Sequence, residues 1–309
     1  MPGCEWCRVE ELDTGVYALI DVDGGWFRSN TGLIDAGDYT IVVDTQYNEP
    51  RAKAVRSIIE ELGLPRPGLV INTHHHGDHA WGNHVFEAIS IMHEQAASLV
   101  EALKDVAPDI YKPFFPQLDF TGSKYTIPNI AVGDRVVVNT PRGRLIVRHM
   151  GPAHTIGDIV VELSRSNIVF AGDLVFNKVT PLAIDGSVKE WINALEALRR
   201  EYRGYTIVGG HGPLAGEDVL ETLIAYLRHV MEGTSHFYRL GVRDPLEVAK
   251  RIGNGPISDW SEGERIVLNI ARAFMDLEGQ PPGSTVDNLP ELAQKMMLYK
   301  EARGYSTRP

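Results

Sequence analysis

The residues best suited to chemistry lie in one short run, Thr73-His74-His75-His76-Gly77-Asp78-His79, of the form H-x-H-x-D-H. The run stands where an apolar stretch, GLVIN (68–72), gives way to turn residues. Side chains alternate across an extended strand, which puts His74 and His76 on one side and His75 on the other. Asp78 and His79 follow in the turn, where the chain can carry them back toward the same point. Imidazole and carboxylate ligands together suit zinc and other divalent first-row metals.

Three further candidates each follow an apolar run and adjoin glycine or a turn residue: His154 in GPAHTIGD, Asp173 in VFAGD and His211 in VGGHG. A sheet whose strands end together gathers such residues at one edge. The set then divides between two metals with open positions, His74, His76 and His154 at one and Asp78, His79 and His211 at the other, with Asp173 as the bridge. A lone histidine is more often a surface or satisfied core residue, and His84, His93, His149, His229 and His236 are read that way. Two metals about 3.5–4 Å apart can share a hydroxide, because each lowers the pKa of bound water toward neutrality. Such a hydroxide would attack a carbonyl carbon while one metal takes up the developing negative charge. Asp78 and Asp173 would serve as ligands that also orient the nucleophile.

The elements that must place these residues are read from the period of the apolar positions. GVYALIDV (15–22), SNTGLIDAG (29–37) and YTIVVDTQ (39–46) read as strands, with Gly32, Gly37 and Asp38 at the bends. Residues 51–63 switch period, and Val55, Ile58, Ile59 and Leu62 fall on one helical face. GLVINTHHH is a buried strand, AISIM (88–92) is another, and a helical stretch follows to about 107. Residues 108–125, with three prolines and several aromatics but no period, read as a loop insertion.

Strands resume with IAVGDRVVVNT, RGRLIVRHM, DIVVELSR and NIVFAGD. A helix starts at Ser187, where Ser187 and Glu190 match a capping box. TIVGGHG (206–212) is one more strand, followed by a helix marked by Val219, Leu220, Leu223, Ile224 and Leu227. Each half thus runs strands, helix, strand and then a histidine. Beyond about 233 only helices are predicted, over 243–253, 261–279 and 288–303. The expected organisation is a catalytic domain over 1–232 and a helical C-terminal extension over 233–309.

With 30 Lys+Arg against 41 Asp+Glu, the 309-residue chain carries a formal charge of −11, which argues against a nucleic-acid or anionic-membrane partner. Hydrophobic residues at 43% and charged residues at 23% exclude disorder, collagen and coiled coil. Cys4 and Cys7 are read as two incidental thiols, and their scarcity suits a reducing compartment. No run of about 18 apolar residues occurs, and the first twenty residues do not resemble a signal peptide, so a cytoplasmic location is expected.

The motifs Asp44, HHHGDH, GPAHT, AGD and GGHG, in order over about 15–230, resemble those of the metallo-β-lactamase-fold superfamily. The resemblance implies a four-layer αββα sandwich with a dinuclear site, two Zn²⁺ with Fe or Mn as alternatives, at one edge of its sheets. It implies the ligands His74, His76, Asp78, His79, His154, Asp173 and His211, with Asp44 behind them as an orienting residue. Asp173, where some family members carry cysteine, is similar to the glyoxalase II and lactonase branches. Acyl-homoserine lactonases place a tyrosine three residues after that aspartate, and here the position is Phe176. Phe176 and Asn177 are taken as substrate-binding residues, and in a lactonase Asn177 or Lys178 would have to stabilise the leaving oxygen.

Trp81 and Asn83 are expected at the site mouth, with Trp26, Phe27, Phe114 and Phe115 as apolar walls. The C-terminal helices are read either as a lid or as a homodimer surface. The expected activity is hydrolysis of an ester, thioester or lactone of a small molecule. The alternatives are a β-lactamase-like amidase and an iron-dependent redox enzyme of the persulfide dioxygenase kind.

Overall fold

The apolar runs 16–21, 31–35, 40–43 and 168–176 form strands buried along nearly their whole length. The computed structural model describes residues 3–106 and 108–304. One sheet has seven strands in sequential order: β1 (Cys7–Asp13), β2 (Val16–Asp21), β3 (Thr31–Asp35), β4 (Thr40–Val43), β5 (Pro67–Ile71), β6 (Ile89–His93) and β7 (Ile130–Val132). The first four pair antiparallel, and β4 to β7 pair parallel. The parallel strands need crossovers, which α1 (Glu49–Glu61) and α3 (Glu94–Leu103) supply. The second sheet has the order β12-β11-β10-β9-β8, made of β8 (Arg135–Thr140), β9 (Gly143–His149), β10 (Ile159–Leu163), β11 (Ile168–Phe176) and β12 (Thr206–His211).

The chain divides into two compact units. The first comprises the chain up to Met150, Gly157–Asp173 and Gly204–Leu214; the second comprises Gly151–Ile156, Leu174–Arg203 and the chain from Ala215. In the first unit one core joins both sheets. Ala18, Ile34, Ile41 and Ile71 come from the seven-stranded sheet, and Val147, Ile159, Val161 and Phe170 from the other. Gly32 is where Phe170 crosses the sandwich, since a Cβ there would lie 2.4 Å from the ring. The opposite face of the first sheet buries Leu19, Leu33, Val42 and Val70 against Ala52, Val55, Ile58 and Ile59 of α1. Asn48 caps that helix by accepting from the Arg51 amide.

The second unit is helical: α4 (Val188–Glu201), α5 (Glu217–Arg239), α6 (Pro245–Ile252), α7 (Ile266–Leu277) and α8 (Leu289–Arg303). Ser187 caps α4 through the Glu190 amide at 3.1 Å, while the Glu190 carboxylate accepts from Asn193. The expected boundary at 232/233 falls inside the continuous helix α5. Among the described residues no helix is long and apolar enough to cross a membrane.

Two expectations are corrected. Cys4 and Cys7 are joined in a disulfide, which a Cα–Cα separation of 5.3 Å permits. Strand β1, absent from the sequence reading, pairs with β2 from Cys7 to Asp13 and buries only Cys7 and Val9, too few positions to set a period.

Candidate metal centre

The candidate ligands of the first unit sit at or just beyond the carboxyl ends of β5 and β12, and Asp173 lies within β11, three residues before its end. Asp44 follows β4 in the left-handed region, φ 62°, and its amide donates to Ile71 of β5. Aspartate tolerates this conformation better than most residues. Its carboxylate accepts from the Thr73 amide (2.8 Å), the Thr73 hydroxyl (2.8 Å) and His79 Nδ1 (2.7 Å). The Thr73 hydroxyl also lies 3.1 Å from His74 Nδ1. Because that hydroxyl donates to Asp44, it accepts from His74. One carboxylate therefore fixes two imidazoles, with Nδ1 protonated and Nε2 turned to the centre.

The run after β5 is held by polar side chains, of which the sequence reading singled out only Asn83, for another role. Asn72 donates to the His79 carbonyl and exchanges hydrogen bonds with Asn83, while the Ser29 hydroxyl donates to the Asp78 carbonyl at 2.6 Å. Asn30 donates to the carbonyls of Gly209 and Gly212, which ties the loop beside β12 to β3. Their signal was available, since polar residues next to a buried strand must be satisfied. The short helix α2 (Gly77–Ala80) then folds Asp78 and His79 back over the strand ends. Its Gly77 lies against the Trp81 indole, which a Cβ would meet at 2.1 Å.

His79 Nε2 is 3.1 Å from Asp173 Oδ1 and 3.6 Å from Asp78 Oδ2. His211 Nε2 is 3.2 Å from Asp78 Oδ2 and 3.4 Å from Asp173 Oδ2, and His74 Nε2 is 4.0 Å from Asp173 Oδ2. Asp78, His79 and His211 form one set of ligand atoms within 4.8 Å of one another, and His74, His76 and Asp173 satisfy the same limit. Asp173 therefore turns one oxygen to His79 and the other to His74 and His211. It fits because β12 offers glycine opposite it: a Cβ on Gly210 would lie 1.8 Å from Asp173 Oδ1.

Three buried carboxylates, Asp44, Asp78 and Asp173, thus face a cluster of imidazoles. Burial opposes protonation of His79, but Asp173, Asp44 and Asp78 outweigh it and hold the imidazole well above its ordinary range. For His211 burial is again outweighed by Asp173 and Asp78, and the value is pushed up to about 9. Burial raises Asp78, yet His79 and His211 bring it down to about 2. The cluster attracts positive charge. No hydrogen-bond partner is aligned on the buried Nε2 of His79. Nitrogen and carboxylate donors converging at this spacing fit divalent first-row metals.

His154 belongs to the second unit. Its Nδ1 donates to the Leu182 carbonyl at 2.7 Å, and its ring packs on Trp191 and Phe176. The expectation of a substrate-facing Phe176 is corrected: the ring is 1% exposed and wedged between His154 and Trp191. Lys178 turns to Asp259 at 3.2 Å, and Asn177 is buried beside it. The site mouth expected of Trp81 and Asn83 is corrected too, because both are buried. Asn83 serves Asn72 and Thr45, while Trp81 stacks on Phe27 amid Tyr111, Phe120 and Tyr125. Phe27 and Phe115 pack into this same cluster, and Phe114 is exposed.

A two-sheet sandwich that converges imidazoles and carboxylates at its strand ends defines a metalloenzyme. The chain belongs to the metallo-beta-lactamase superfamily, whose family description matches residues 24–211. It has that family's fold, with helices at its C-terminus, and it is a metal-dependent hydrolase.

Among its relatives, the acyl-coenzyme A thioesterase MBLAC2 of Homo sapiens is 24% identical over 62% of this chain and 72% of its own length. A hydroxyacylglutathione hydrolase of Rhodospirillum rubrum is 28% identical over 51% of each chain. A solved metallo-beta-lactamase from Pontibacter korlensis superposes with a TM-score of 0.60 at 19% identity, covering 72% of this chain and 99% of that one.

Proposed function

We propose that the chain is a dinuclear zinc hydrolase that cleaves small thioesters. The observation that carries this reading is the place of Asp173 between two ligand sets, with Oδ1 3.1 Å from His79 and Oδ2 3.4 Å from His211 of one set, and Oδ2 4.0 Å from His74 of the other. His74, His76 and Asp173 would hold one ion, with His154 added by the family motif, and Asp78, His79, His211 and Asp173 the other. Zinc held there would supply Lewis acidity and water acidified to near neutrality. Asp44 and Thr73 engage Nδ1 of His79 and His74, so Nε2 is the nitrogen each would offer to a metal. Asp78 and Asp173 compensate the positive charge and fix its position.

The choice of a thioester rests on the leaving group. An alkoxide leaving from an ester or lactone needs a proton donor, whereas a thiolate, whose thiol has a pKa of about 8.5, leaves unaided at neutral pH. The position where lactonases carry a tyrosine is the buried Phe176, and Lys178 is engaged by Asp259. The relatives named as a thioesterase and as a hydroxyacylglutathione hydrolase support the same substrate class.

The test is metal content per chain in protein purified without added metal, followed by hydrolysis of thioester, lactone, aryl ester and β-lactam with and without chelator. Two zinc per chain with chelator-sensitive thioester cleavage is the expected result. One iron per chain, or a preference for the lactone, would refute it.

A further inference from the structure

At the end of the sandwich remote from the metal ligands, the first unit holds a cleft of 360 Å³. Turns from both sheets enclose it: the β1–β2 turn at Asp13 and Thr14, the end of β3 at Asp35, the β8–β9 hairpin around Arg142 and the β10–β11 turn at Arg165 and Ser166. Its floor is Val16, Ile34, Leu145 and Leu163, all members of the core shared by the two sheets. The cleft therefore opens onto the apolar interior of the sandwich. From Ile168, paired with Leu163 on the cleft floor, β11 runs five residues to Asp173. At about 3.3 Å per residue that separates cleft and metal centre by roughly 16 Å.

The rim is basic on a chain whose net charge is −11. Arg142 pairs with Asp35 at 2.9 Å, and Asp13 is taken up by the Ser166 hydroxyl and the Thr14 amide. These links leave two exposed guanidiniums, Arg144 and Arg165, without an ion-pair partner among the described residues. Guanidinium presents a planar fork of donors that matches carboxylate and phosphate oxygens. The volume is that of a small-molecule site.

We propose that this cleft is a second binding site, for a small anion with an apolar tail. The headgroup, carboxylate or phosphate, is held by Arg144 and Arg165, and the tail lies on Val16, Ile34, Leu145 and Leu163. The proposal does not depend on the substrate or the metal count of the hydrolytic centre.

Octanoate and octyl phosphate would be titrated into the full metal-loaded chain, with octanol and octylammonium as controls, using calorimetry and amide chemical shifts. Saturable binding of at least one anion is expected, with shifts centred on Gly143, Leu145, Leu163 and Ser166. Arg144→Ala/Arg165→Ala should raise its Kd at least tenfold, with an unchanged melting temperature because both side chains are exposed. Binding of octanoate alone identifies a carboxylate ligand, and binding of octyl phosphate alone identifies a phosphate. The proposal is overturned if neither anion binds, if octanol or octylammonium binds as tightly, if the double variant keeps the wild-type Kd, or if the shifts centre on the metal ligands.

Discussion

Replacing Asp44 separates its effect on stability from its effect on the metal centre. Its carboxylate is the acceptor for the Thr73 amide, the Thr73 hydroxyl and His79 Nδ1, all buried. Alanine leaves three donors unpaired at about 1–3 kcal/mol each. Water entering the vacated space offsets part of this, so a loss of about 3–5 kcal/mol is expected, in line with breaking a buried charged network. Against a domain stability of about 5–15 kcal/mol, Asp44→Ala should melt far below wild type and fold poorly without metal.

Asparagine has the same shape and tolerates the positive φ, but it exchanges one acceptor for a donor. With its amide nitrogen toward Thr73 N–H, two donors collide. In the other orientation the Thr73 hydroxyl can rotate to accept, and His79 can accept only by moving its proton to Nε2. That is the nitrogen facing Asp173 and Asp78. Asp44→Asn should therefore stay folded, at a cost of about 1–2 kcal/mol, and bind metal about 10–100-fold more weakly. Chelator competition gives the affinity, thermal melts give the stability, and nitrogen spectra of the loaded protein locate the His79 proton. Wild-type metal affinity with a retained Nδ1–H in Asp44→Asn would refute the relay.

Other expectations follow from single contacts. Gly210→Ala would push a methyl group into Asp173 Oδ1, so metal affinity and turnover should fall at least a hundredfold while circular dichroism is retained. Asp173→Ala should abolish most turnover and reduce metal content; unchanged rates would exclude the bridging role. His93, 3% exposed and stacked on His149 at 3.8 Å, caps α3 through the Gln95 amide. Burial, and then His149, lowers its pKa from 6.5 to about 4. The unfolded chain therefore binds the proton more readily. The neutral form's contribution is complete above about pH 6.5 and is lost as pH falls toward 4, amounting to about 2 kcal/mol by pH 5. His93→Asn keeps a capping side chain and removes the titration, so denaturant midpoints at pH 8 and pH 5 should differ less than in wild type.

The sequence alone determined the features that rest on near neighbours. Short apolar runs bounded by turn residues located the strands β2 to β5, and a stripe every third to fourth residue located the helices α1, α4 and α7. The H-x-H-x-D-H run announced a metal because its donors are adjacent and of the right chemical type. Tertiary structure alone decided what depends on distant segments. Asp44 meets Thr73 and His79, 29 and 35 residues on. Gly210 makes room for Asp173, and Asn30 holds Gly209 and Gly212.

The direction of the aromatic side chains was also a tertiary matter. Trp81 and Phe176 are apolar enough for a substrate wall or a core, and only the elements packed around them place both inside. The same holds for Cys4 and Cys7, whose pairing depends on how the backbone turns before β1. Residue type and spacing state which groups can bind a metal. Which groups meet is settled by how the sheets close, since each contact there joins segments that no local period relates.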